Sequence, residues 1–103
     1  MVRMDGKTCV ITGAGNGLGF EYAKSMASLG AHVVVNDLGS ASDGTGADAS
    51  AAHQAVKALE AQGWQASANT ADVAEEQQAE QLIAEAFDVT GHLDVLVCNA
   101  GIL

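Results

Sequence analysis

Basic residues are scarce: 4 Lys+Arg stand against 13 Asp+Glu, a formal charge of −9 and a pI near 4.3. DNA, RNA and anionic lipid all need a basic footprint, so none of them is expected as a main partner. Aromatics make up only 4% of the chain, which leaves the core to Val, Ile, Leu and Ala. No apolar run approaches the ~18 residues of a membrane span, and Met1 to Thr8, with Arg3, Asp5 and Lys7, has no signal-peptide core. Cysteine appears twice, as Cys9 and Cys98, each within an apolar run and far apart. They read as buried thiols of a reducing compartment rather than a disulfide framework. His32, His53 and His92 are scattered without metal-ligand spacing. Asp37, Asp43 and Asp48 lack the order of a calcium loop, so no metal is expected. What remains is a chain of 103 residues, 49% hydrophobic, with a mean hydropathy of +0.16. These values fit one small globular domain, residues 1–103, expected in the cytoplasm.

The periodicity alternates between two kinds of element. Lys7 to Thr12 (K-T-C-V-I-T) is short and rich in β-branched residues, suiting a strand buried on both faces. From Gly17 the spacing turns helical through Leu18, Tyr22, Met26 and Leu29, and Gly30 supplies a stop. Ala31 to Asn36 is a second buried strand, ending at Asp37, and Gly39 to Gly46 is an aperiodic Gly/Ser/Asp/Thr loop. Asp48 to Gln62 predicts a helix with Ala52, Ala55, Val56 and Leu59 on one side, and Trp64 to Asn69 a weaker strand. Ala74 to Thr90 predicts a helix with Ala79, Leu82, Ile83, Ala86 and Phe87 on one stripe and carboxylates mostly opposite. Leu93 to Cys98 closes the series as a strand. The order β-α-β-α-β-α-β predicts an α/β fold: a Rossmann-type parallel sheet with right-handed crossovers, half of a doubly wound fold with strand order 3-2-1-4.

The densest signal is Thr12-Gly13-Ala14-Gly15-Asn16-Gly17-Leu18-Gly19, placed where the first strand hands over to the first helix. Glycines there permit positive φ and close backbone approach to a pyrophosphate, and the helix N-terminus offers unpaired N–H groups to the anion. A tight turn needs one or two glycines; four in seven residues exceed that. The pattern is T-G-x-x-x-G-x-G rather than G-x-G-x-x-G, because positions 18 and 20 hold Leu18 and Phe20. A P-loop is excluded, since no Lys-Ser/Thr pair directly follows the turn. Asp37 lies 24 positions after Gly13, at the end of the second strand. A carboxylate there accepts hydrogen bonds from the adenosine ribose hydroxyls and repels a 2′-phosphate, so NAD is favoured over NADP.

With these residues placed, the chain resembles the N-terminal part of the short-chain dehydrogenase/reductase family. Asp72-Val73 follows the third strand, where the family binds adenine, and Asn99-Ala100-Gly101 matches its N-A-G motif after the fourth. Val34-Val35-Asn36-Asp37-Leu38-Gly39, with the long loop after it, looks more narrowly like the (3R)-hydroxyacyl-CoA dehydrogenase units of peroxisomal-type multifunctional enzymes, which leaves a peroxisomal parent open. The resemblance implies that the backbone N–H groups of Asn16, Gly17, Leu18 and Gly19 hold the pyrophosphate and that Asp37 takes the ribose. It further implies that Asp72 and Val73 flank adenine, and that Asn99, Ala100 and Gly101 line the nicotinamide-side ribose.

Members of the family interconvert an alcohol and a carbonyl with a tyrosine acid/base in Y-x-x-x-K, assisted by serine and asparagine. The tyrosine present here, Tyr22, has Met26 at i+4 and sits on the first helix, so no catalytic residue is assigned. The chain is expected to be the cofactor-binding half of a dehydrogenase, inactive by itself; the alternative is a non-catalytic NAD-binding module. Leu93 to Cys98 is then an open apolar edge, and self-association through this fourth strand is expected.

Overall fold

The structure is a computed structural model, and it describes residues 3–15, 17–37, 50–73 and 75–97. The elements are β1 (Thr8–Thr12), α1 (Gly17–Ser28), β2 (His32–Asn36), α2 (Ser50–Glu60), β3 (Ala66–Asn69), α3 (Glu76–Thr90) and β4 (Val95–Val97). The strands form a single parallel sheet ordered β3-β2-β1-β4, the arrangement that the glycine-rich first turn predicts.

Alternate residues of the strands divide the core between the two sheet faces. Cys9, Ile11, Val33 and Val35 pack with Ala23 and Ala27 of α1 and Ala52, Ala55 and Leu59 of α2. Val10 and Val34 point the other way, against Leu82 and Ala86 of α3. β1 is buried along its whole length, as a strand covered on both faces must be. β4 is only half-covered: Leu96 pairs in register with Val10, on the α3 face, and is 49% exposed.

The helix α1 presents a different side to the sheet from the one its larger residues suggest. Gly19, Ala23 and Ala27 are buried, whereas Leu18 and Tyr22 are 60% and 40% exposed. Small residues let the helix backbone approach the strands closely, so the contact is made by the smallest side chains. On α3 the predicted stripe is likewise narrower, with Leu82 and Ala86 buried and Phe87 exposed.

Boundaries move by one or two residues for identifiable reasons. β3 starts at Ala66 because the Trp64 N–H still closes α2, donating to the Leu59 carbonyl (3.3 Å). Leu93 and Asp94 precede β4, and Asp94 ties it to β1 twice: its N–H donates to the Thr8 carbonyl (3.0 Å) and its carboxylate accepts from the Thr8 N–H (2.9 Å). α3 ends at Gly91, whose φ of 86° puts it in the left-handed region while its N–H donates to the Phe87 carbonyl (2.7 Å). The predicted loop 39–46, the predicted start of the second helix at Asp48, and Ala74 and Cys98 lie outside the described residues.

Candidate functional site

The β1–α1 turn leaves the sheet at its carboxyl end, the end at which open parallel sheets bind ligands. Gly13 and Gly17 have φ of 65° and 64°, a conformation an L side chain adopts only at a cost. The turn is fastened to its neighbours. The buried Ala14 donates its N–H to the Asn36 carbonyl at the end of β2 (3.0 Å), and the Thr12 hydroxyl donates to the Val97 carbonyl on β4 (3.4 Å). Gly19 is buried in the first turn of α1, and that turn carries no acidic residue. The positive end of the helix therefore has no carboxylate of its own within that turn.

Asp37 stands beside this turn. Its Oδ2 accepts a hydrogen bond from the Gly15 N–H at 2.7 Å. Gly15 has no room for a side chain: a Cβ there would lie 2.5 Å from the same Oδ2 and 2.8 Å from the Ala51 Cβ at the start of α2. The sequence pattern singles out Gly13, Gly17 and Gly19, yet Gly15 makes the contact with the acidic residue.

A second group of polar side chains, with no signal in spacing, binds the ends of β2 and β3 together. The Asn36 Nδ2 donates to Asn69 Oδ1 (2.8 Å) and to the Ala71 carbonyl (3.1 Å). Asn69 Oδ1 also accepts from the Ala71 N–H (2.9 Å), and its Nδ2 donates to Glu85 Oε2 on α3 (3.1 Å). The Asn69 carbonyl accepts from the Asp37 N–H (3.0 Å). The Asp72 N–H donates to Gln78 Oε1 (2.8 Å), and Val73 packs against the Val10–Val34–Leu82–Ala86 cluster. The only hint in the sequence is an asparagine closing each of two strands, just ahead of Asp37 and Asp72.

Gly13, Gly17, Gly19, Asp37, Asp72 and Val73 thus follow the ends of β1, β2 and β3, with Leu18 exposed on the first turn of α1. Asn16, Asn99, Ala100 and Gly101 lie outside the described residues. At the opposite end of the sheet, the Thr8 and Thr90 hydroxyls are hydrogen-bonded, and His92 Nδ1 lies 2.6 Å from Asp94 Oδ2. The Thr8 N–H above all holds the Asp94 carboxyl below the usual carboxylate range. Burial pushes the His32 imidazole down. Burial, with a smaller effect of the Asp94 charge, pushes the Cys9 thiol up to about 11. Among the described residues no three His, Cys, Asp or Glu side chains are grouped to hold a metal ion, and no helix is long and apolar enough to cross a membrane.

The model of the short chain dehydrogenase family matches residues 7–103. The chain belongs to this family. It is 47% identical over 103 residues to a short-chain type dehydrogenase/reductase of Mycobacterium tuberculosis, covering 100% of this chain and 36% of that protein. It is 44% identical over 102 residues to the peroxisomal multifunctional enzyme type 2 of Mus musculus, covering 99% of this chain and 14% of that one. The crystal structure of a short chain dehydrogenase from Mycobacterium avium superposes with a TM-score of 0.87 at 44% identity, over 100% of this chain and 36% of the other. A 7α-hydroxysteroid dehydrogenase complexed with NADH and 7-oxo glycochenodeoxycholic acid superposes with a TM-score of 0.79 at 38% identity, over 91% of this chain and 33% of the other. The chain therefore spans about a third or less of the length of these relatives.

Proposed function

We propose that this chain is the NAD-binding portion, residues 1–103, of a short-chain dehydrogenase that interconverts an alcohol and a ketone. The observation that carries the reading is the Asp37 carboxylate held against the glycine turn by the Gly15 N–H at 2.7 Å. That contact brings a ribose-diol acceptor beside amides suited to a diphosphate, the pair of chemistries that an adenine dinucleotide presents together. The N–H groups of Asn16 to Gly19 hold the diphosphate, aided by the α1 dipole. Asp37 accepts from the adenosine ribose and disfavours a 2′-phosphate. Asp72 and Val73 flank adenine, and Asn99, Ala100 and Gly101 line the second ribose. Bound here, the nicotinamide supplies hydride transfer; this portion binds and orients it and is inactive by itself. The likeness to the mouse multifunctional enzyme, together with Val34 to Gly39, favours a 3-hydroxyacyl-CoA as substrate of the complete enzyme. The buried, free Cys9 suits a reducing compartment such as the cytoplasm.

Titration calorimetry of the chain with NAD and NADP tests the reading. NAD is expected to bind more tightly than NADP, and Asp37→Ala to weaken NAD by about tenfold, the equivalent of one charge-assisted hydrogen bond. A preference for NADP, or no nucleotide retained at millimolar levels, overturns it. A second proposal concerns residues 1–103 studied by themselves: among the described residues nothing pairs with the outer edge of β4. With Leu96 exposed beside it, a second copy of the chain is the expected occupant.

A further inference from the structure

We infer that Asn69 is a positioning residue for the adenosine half of the site, its side-chain orientation dictated by Glu85, and that this pair sets the selectivity for adenine. The inference rests on the dinucleotide reading above.

Asn69 is the last residue of β3 and only 8% exposed. It braces both segments that the adenosine would touch. Its carbonyl accepts from the Asp37 N–H (3.0 Å) and its Oδ1 from the Ala71 N–H (2.9 Å), next to Asp72. Asn36, 2% exposed, donates its Nδ2 to both Asn69 Oδ1 and the Ala71 carbonyl. Both backbone polar groups of Ala71 are therefore clamped by asparagine side chains. Strand pairing ends at Asn36 and Asn69, so beyond it this network, together with the Gln78 bond to the Asp72 N–H and the packing of Val73, sets the Asp72–Val73 backbone relative to Asp37.

A carboxamide has two nearly isosteric ends, and here its partners choose between them. Oδ1 must face two donors, the Asn36 amide and the Ala71 N–H. Nδ2 must face an acceptor, and a carboxylate is acceptor-only. Glu85 supplies that acceptor from an exposed position on α3. A cation at position 85 would favour the flipped amide, turning Nδ2 toward two donors and releasing the Ala71 backbone. Adenine and hypoxanthine differ in the exocyclic amino donor and in the protonation of N1. A carboxylate and a backbone N–H such as those of Asp72 and Val73 distinguish the two only when held at the right spacing.

The test measures dissociation constants of the full chain for NAD and for nicotinamide hypoxanthine dinucleotide. The wild type is expected to prefer NAD by about tenfold, the value of one well-made hydrogen bond. Glu85→Lys and Asn69→Leu are expected to bring that ratio near one, and Glu85→Gln, which still offers an acceptor, to retain it. Loss of folded population weakens both ligands equally and leaves the ratio alone, so a merely structural role does not move this readout. An unchanged ratio in Glu85→Lys and Asn69→Leu, or a wild-type ratio near one, overturns the inference while the NAD site stands. A wild type that binds neither dinucleotide overturns the site itself and the inference with it.

Discussion

Replacing Gly15 by alanine isolates the contact on which the site depends. Gly15 does not have the positive φ of Gly13 and Gly17, so the backbone tolerates alanine and only space is at issue. The added Cβ would meet Asp37 Oδ2 at 2.5 Å and the Ala51 Cβ at 2.8 Å. An ordinary carbon–oxygen contact requires the carboxylate to retreat by about 1 Å, which stretches the 2.7 Å Gly15 N–H bond beyond hydrogen-bonding range. A hydrogen bond to a charged group contributes about 1.5–3 kcal/mol, and the half-buried setting of Asp37 argues for the lower end. The expected result is a roughly tenfold or greater loss of NAD affinity by calorimetry, with circular dichroism unchanged at low temperature. Gly17→Ala is the contrast: nothing lies within 4 Å of its Cβ position, but its φ is +64°. That variant should lose about 1–2 kcal/mol of stability from backbone strain. Wild-type NAD affinity in Gly15→Ala would refute the claim that Asp37 reaches the ribose from beside this turn.

Two further outcomes follow from packing. Leu96→Lys places a charge on the half-covered β4 surface and should shift sedimentation toward monomer without lowering the melting temperature; an unchanged distribution would show that β4 is not the contact. The Cys9 thiol, pushed up to about 11 from an ordinary 9.0 by burial and fully inaccessible, keeps its proton in the folded chain to higher pH than in the unfolded one. The unfolded chain then releases its proton first, so stability is intact below about pH 9 and falls by about 2–3 kcal/mol as pH rises to about 11. Urea melts across that window should show the fall, and Cys9→Ala should flatten it.

The order of elements, the parallel sheet and the glycine turn were legible in the sequence because each leaves a local trace. Buried strands appear as β-branched runs, helices as a period change, and the turn as clustered glycine. Asp37 and Asp72 could be placed for the same reason, since each follows a strand. Three things depended on the tertiary structure. The face α1 buries is set by how closely its backbone approaches the sheet, which favours Gly19, Ala23 and Ala27 over the larger Leu18 and Tyr22. The part played by Gly15 is set by Asp37, 22 residues away. The Asn36–Asn69–Glu85 network joins two strand ends to a helix; its members share no spacing, and hydrogen bonds between elements leave no periodic mark on a chain.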